Sequence, residues 1–102
     1  MKTIHFKVED TVIKPEDKEE LKGIVRGHSN FLILKFSFDS SWNGFKKIIS
    51  VSDISGHEIL DGIDKTFIVP GEVTEDSIMR IQLFGKKDEE MFKTEIFYLN
   101  QR

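Results

Sequence analysis

The sequence contains no cysteine. Disulfides, thiolate nucleophiles and cysteine-ligated zinc are therefore excluded. Small secreted domains lean on disulfides, so their absence favours folding in a reducing cytoplasm. Proline is scarce, with two residues, and there is one tryptophan and one tyrosine. No apolar run approaches the roughly 20 residues of a membrane-spanning helix. The densest stretch, residues 31–38, is interrupted by Lys35. The N-terminal segment alternates polar and apolar residues and lacks the apolar centre of a secretory leader. A large charge excess is also missing: the formal net charge is −3. Such a weakly acidic surface has no general attraction for nucleic acid or anionic membranes. The expectation is a soluble protein.

What is present suits one domain, residues 1–102, with 38% hydrophobic and 32% charged residues. Nine phenylalanines supply core volume, each able to bury roughly 150–250 Å². Period-two alternation recurs along the chain and the 3.6-residue period of a helix does not. Ile4, Phe6 and Val8 alternate with Thr3, His5 and Lys7. Leu32, Leu34, Phe36 and Phe38 form a wholly apolar set that predicts a core-facing strand. Met79, Ile81 and Leu83 stand against Arg80 and Gln82. Further strands are expected at residues 23–26, 45–52, 58–60, 66–69, 77–84 and 92–99. Residues 9–22, dense in charge, predict a loop over the end of a sheet with at most one helical turn. Turns are expected at residues 27–30, at Ser55-Gly56, at Asp61-Gly62 and over residues 85–90. About eight short strands with this punctuation predict an all-β sandwich or a small barrel.

The residues that could carry chemistry are few. His5, His28 and His57 lack metal-type spacing, although a hairpin could join Asp53 to His57, and zinc wants three or four convergent ligands. No G-x-S-x-G elbow or glycine-rich phosphate loop is present. Glu16-Asp17 and Asp88-Glu89-Glu90 read as solvated loop charge. Lys46-Lys47 and Lys86-Lys87 are the basic pairs, and flanking acids argue against a nucleic-acid face. Trp42 reads as a cap on the core, against the alternative of an exposed platform for a sugar.

Residues 34–47 read Leu34-Lys35-Phe36-Ser37-Phe38-Asp39-Ser40-Ser41-Trp42-Asn43-Gly44-Phe45-Lys46-Lys47. This resembles a pattern in small tail, baseplate and fibre proteins of phages and prophages of Gram-positive bacteria. There an apolar strand ends in Phe-x-Phe-Asp, followed by Trp-Asp-Gly or Trp-Asn-Gly, a basic residue and another strand. Val69-Pro70-Gly71-Glu72-Val73 is similar to the family's Ile-Pro-x-Glu-Val segment, and Leu83-Phe84-Gly85 to its Val-Phe-Gly or Val-Tyr-Gly strand end. The likeness spans roughly residues 23–99. Ile48-Ile49-Ser50-Val51 departs from the family's Ala-Val-Phe type segment, so no partner surface carries over.

The resemblance implies an immunoglobulin-like antiparallel β-sandwich of about seven to eight short strands. It implies fold-forming roles: Trp42 and Phe45 plugging one end, Asn43-Gly44 making a turn, Pro70 stopping a strand, Gly85 permitting a turn out of one. It implies a structural or attachment module of a phage particle (baseplate, tail fibre or head-associated), made in the bacterial cytoplasm. Its partners would be other phage subunits or itself, without cofactor, nucleic acid or membrane, and without catalysis. The rival reading is a carbohydrate-binding module for a bacterial surface glycan, which needs Trp42, Tyr98 or several phenylalanines exposed. A small enzyme comes third. A polar pocket holding both His57 and Asp53 would move it ahead.

Overall fold

Alternation along the strands builds two sheets around one apolar layer. The computed structural model describes residues 2–22, 32–70 and 78–100. The strand and turn expected over residues 23–30 lie outside them. The first sheet has the order β2 (Val12–Pro15), β1 (Lys2–Glu9), β3 (Leu32–Phe38), β6 (Thr66–Ile68). The second has the order β5 (Glu58–Ile63), β4 (Lys46–Asp53), β7 (Ile78–Lys87), β8 (Glu90–Lys93), and β9 (Phe97–Asn100) also pairs with β7. Ile4, Phe6, Val8, Leu32, Leu34 and Phe36 from the first sheet are buried. They meet Ile49, Val51, Met79, Ile81, Leu83 and Leu99 from the second in one core. Each such side chain contributes about 1.5–3 kcal/mol on burial. The molecule is therefore the two-sheet β-sandwich that the alternation predicts.

One pairing departs from the antiparallel expectation. β1 and β3 run parallel, in register from Lys2–Leu32 to Val8–Phe38. β2 turns back on β1 through Asp10, at φ +55°, and takes the antiparallel place on one side. β3 takes the other side, and the chain between β2 and β3 is long enough for the crossover that parallel neighbours require.

Residues 9–22 depart from the loop reading in holding β2, while the single helical turn allowed there is a 3₁₀ turn, Lys18–Leu21. Asp17 caps that turn by accepting from the Glu19 N–H at 3.0 Å. Glu20 then clamps it to β1. Its Oε1 accepts from the His5 N–H and its Oε2 from His5 Nδ1, both at 2.9 Å. Those two bonds hold the Glu20 carboxyl below the usual range, against the effect of desolvation.

Two turn expectations and one strand expectation are corrected. Asp61-Gly62 lies inside β5, opposite Ile49 and Ile48, because the register with β4 continues to Ile63. The turn follows at Asp64-Lys65, where the Lys65 carbonyl accepts from the Phe36 N–H at 2.8 Å. β7 runs through Gly85 to Lys87, and a tight hairpin at Asp88-Glu89 leads into β8. The last strand is broken between β8 and β9 at residues 94–96. There the Thr94 hydroxyl accepts from the Leu83 N–H at 3.1 Å, and the Glu95 N–H crosses to the Thr11 carbonyl at 2.8 Å.

The Trp42 end explains most of the fold-forming motif. Asp39 caps a second 3₁₀ turn, Ser40–Trp42, by accepting from the Ser41 N–H at 3.0 Å and from the Ser41 hydroxyl. Its other oxygen accepts from the Asp10 N–H at 2.8 Å. The Ser41 hydroxyl and these N–H groups hold the Asp39 carboxyl low, against desolvation. Trp42 is fully buried and donates from Nε1 to the Asp10 carbonyl at 2.9 Å. Its ring centroid lies 5.0 Å from that of Phe38 and 4.5 Å from that of Phe92, and Phe92 stands edge-on to Phe45 at 4.9 Å. Phe36 stacks on Phe6 at 5.4 Å. Asn43 donates its N–H to the Ser40 carbonyl, and Gly44 makes the turn at φ +81°. The Val69 N–H donates to the Leu32 carbonyl, and Pro70, next in the chain, has no N–H to extend the pairing.

Gly85 has a different reason from the turn role expected of it. It sits inside β7, opposite Lys47 and Phe92. A Cβ there would stand 2.7 Å from Phe92 Cε1 and 3.1 Å from Trp42 Cζ3. Glycine is required because two aromatic rings occupy that space. Gly85→Ala is expected to destabilise the fold by about 1–3 kcal/mol, the usual range for overpacking. Urea unfolding measures the loss. Emission from Trp42, the sole tryptophan, is expected to shift to the red as the ring is displaced.

Candidate functional site

The outward face of the second sheet carries its polar chemistry. With Ile49 and Val51 turned inward, Ser50 and Ser52 of β4 must face out. With Met79, Ile81 and Leu83 inward, Arg80 and Gln82 of β7 do the same. Register then aligns them across strands. Ser52 lies between Glu58 and Arg80, and Arg80 lies beside Tyr98 of β9. Ser50 lies between Leu60 and Gln82. A cleft of about 330 Å³ opens here, lined by Ser50, Ser52, Glu58, Arg80, Gln82 and Ile96, with Asp53, Gly56 and His57 from the β4–β5 turn.

Asp53 organises that turn. It is fully buried, yet its Oδ1 accepts from the N–H groups of Ser55 at 3.0 Å and His57 at 2.9 Å. Oδ2 meets His57 Nδ1 at 2.8 Å. Burial pushes the Asp53 carboxyl up. The His57 N–H, the His57 ring and the Ser55 N–H outweigh it and hold the group low. An ionised carboxylate can only accept, so His57 carries its proton on Nδ1. Gly56 completes the turn at φ +98°. On the cleft side, Arg80 Nη2 donates to the Asp53 carbonyl at 2.6 Å. Gln82 Nε2 donates to the Thr94 carbonyl at 2.8 Å, and the Ser50 hydroxyl to Glu58 Oε2 at 3.3 Å. Arg80 Nε is buried without a hydrogen-bond partner among the described residues.

Asp53 and His57 thus meet at a polar cleft, the position that would favour an enzyme. The bonds seen there are structural: Asp53 is fully buried at the cleft margin and closes the turn, and the Ser50 hydroxyl is bonded to Glu58. A Ser–His–Asp relay needs all three in hydrogen-bond reach. Here the carboxylate serves to lock a turn.

The other sequence candidates fall elsewhere. His5 is engaged by Glu20, and His28 lies outside the described residues. Among the described residues no three His, Asp or Glu side chains gather to hold a metal ion. No described helix is long and apolar enough to cross a membrane. The two lysine pairs converge, Lys46 opposite Lys86, which their separation in sequence conceals. Lys47 and Lys87 lie over the Phe38 and Phe45 rings, at 5.1 and 5.8 Å, as part of the aromatic end. Trp42 offers no stacking face to a sugar, whereas Tyr98 is 58% exposed. Ser50, Ser52, Arg80 and Gln82 were not singled out from sequence. Their signal was polar residues alternating with a buried set.

Asp53→Ala leaves the Ser55 and His57 N–H groups without their acceptor and is expected to cost about 1–3 kcal/mol at pH 7. The pH sign follows from the lowered carboxyl. The unfolded chain binds more protons in acid, so the stability Asp53 contributes is present above its unfolded pKa of about 3.9 and is lost as pH falls through the lower folded value. Urea unfolding of both proteins should show their gap closing in that acid window and steady above it.

Comparison with protein-family models, with curated proteins and with solved structures finds no match for this chain.

Proposed function

We propose that this chain is a non-enzymatic structural or attachment module of a phage or prophage particle, acting by protein–protein contact. The phage assignment rests on the order and spacing of the Phe-x-Phe-Asp, Trp-Asn-Gly and Phe-Gly segments. The all-β two-sheet architecture is of the general kind expected of such attachment domains, although the parallel β1–β3 pairing departs from the antiparallel immunoglobulin-like arrangement the resemblance implies.

The observation that favours contact is the unequal treatment of the sheet margins. Exposed strand edges template pairing with other chains, and proteins blunt them with proline, lysine, short length or breaks. Among the described residues, β2 ends in Pro15, β6 spans three residues ahead of Pro70, and residues 94–96 interrupt the β8–β9 margin. β5 differs. It pairs with β4 over six unbroken positions, contains neither proline nor lysine, and carries Leu60 at 61% exposure, with the exposed Glu58 and Asp61 as its charged residues. A neighbouring subunit can extend the second sheet there by strand addition. Repetition of the contact around a particle compensates for a modest single interface.

Size-exclusion chromatography with light scattering over a wide concentration range tests this reading. A discrete trimer, hexamer or larger ring is expected, returned to monomer by Leu60→Lys with an unchanged melting temperature. A strict monomer at every concentration would count against self-assembly and turn the search to heterologous partners.

A further inference from the structure

Beyond the contact at β5, we propose that the cleft over β4 and β7 binds a neutral saccharide. Arg80, Gln82 and Ser52 would read its hydroxyl groups, and Tyr98 would lie against its ring.

The cleft holds hydrogen-bonding groups that the fold does not use up. Arg80 has five N–H donors. Among the described residues its side chain makes one hydrogen bond, from Nη2 to the Asp53 carbonyl, forms no ion pair in a chain with 18 acidic side chains, and leaves Nε a buried donor without a partner. Such orphans are uncommon and call for an explanation, and Arg80 lines the cleft in which a ligand oxygen would supply one. Gln82 is fixed by its amide nitrogen on the Thr94 carbonyl, which leaves the side-chain oxygen as an acceptor of set orientation. The Ser52 hydroxyl, between Glu58 and Arg80, can both donate and accept.

The mixture of donors and acceptors selects the ligand class. A carboxylate or phosphate ligand would meet Glu58 at the cleft wall, and an ammonium ligand would meet Arg80. Vicinal hydroxyls carry no charge and both donate and accept, so they satisfy the two sides together. Tyr98, beside Arg80 in register and more than half exposed, offers a flat apolar face for the C–H surface of a sugar ring. The volume of about 330 Å³ lies at the small end of ligand sites, which run from roughly 300 to 1,000 Å³ and suit a short saccharide here.

The test uses the full chain on an array of neutral, acidic and amino-sugar oligosaccharides, followed by calorimetric titration of the strongest neutral hit. Binding is expected for neutral saccharides and to weaken about tenfold or more in Tyr98→Ala and Arg80→Gln. Tyr98 is exposed, so its variant should keep the native melting temperature and remains informative if the Arg80 variant does not fold. Amide shifts on titration should map to β4, β7 and β9. No binding above background, a preference for acidic saccharides, or binding that Tyr98→Ala leaves intact would each overturn the proposal. Light scattering reads the β5 contact separately, so one idea can fail without the other.

Discussion

The contact between Trp42 and Gly85 fixes how the two sheets meet. Trp42 comes from the connection between β3 and β4, and Gly85 from near the C-terminal end of β7. The indole fits because β7 gives up a side chain at that point, and Phe92 wedges the same space from β8. The bond from Trp42 Nε1 to the Asp10 carbonyl carries the constraint across to the β1–β2 turn. Asp39 adds a second tie to the same turn through the Asp10 N–H. One aromatic plug and two hydrogen bonds thus join the β3–β4 connection, the β1–β2 turn and the β7–β8 strand pair, which are far apart in sequence. The dispersion gain of such a ring is a sum over many close atom pairs, so displacing it by a methyl group disturbs all three.

With that end fixed, the opposite end of β4 is set by Asp53. It is buried where an apolar residue would otherwise continue the Ile49–Val51 series, and the cost of burying a charge is met by local N–H donors. The turn it closes places Glu58 opposite Ser52 and starts β5 in register with β4. The outward face of the second sheet is therefore a consequence of inward chemistry. Its cleft residues are positioned by strand register, and the β4–β5 turn is held by the Asp53 carboxylate.

Legibility in the sequence followed the range over which each interaction acts. β1, β3 and β7 were readable because period-two alternation is a local signal that core burial imposes directly. The two-sheet sandwich followed from several such strands. β2 was hidden because Pro15 and the surrounding charges outweighed a short Val12–Ile13 signal. Asp61-Gly62 resembled a turn because the dipeptide favours one, but cross-strand pairing with Ile48 and Ile49 overrode that propensity. Gly85 was identified as important with the wrong reason attached, since the rings that require it come from distant positions. The parallel pairing of β1 and β3, the convergence of the lysine pairs and the row Glu58–Ser52–Arg80–Tyr98 depend on register between strands, which no local pattern encodes. The Asp53–His57 bond was open to reading because its partners are four residues apart across a turn.

The two sheets differ in what they leave available. On the first, the outward side of β1 is engaged by the 3₁₀ turn, through the clamp of Glu20 on His5, and Lys7 and Lys35 add solvated charge. The second exposes Leu60, Met91 and Tyr98, with the half-buried Ser52, Gln82 and Arg80 among them, against Ile68 on the first. Exposed apolar side chains among under-used polar groups give little to the stability of an isolated domain, and they are what a partner or a ligand would use. The strand margin at β5 and the cleft over β4 and β7 share this sheet and one rigid register. A subunit added at β5 would lie next to Leu60 and Glu58, along one wall of the cleft. Assembly and ligand binding would then act on adjoining parts of one surface.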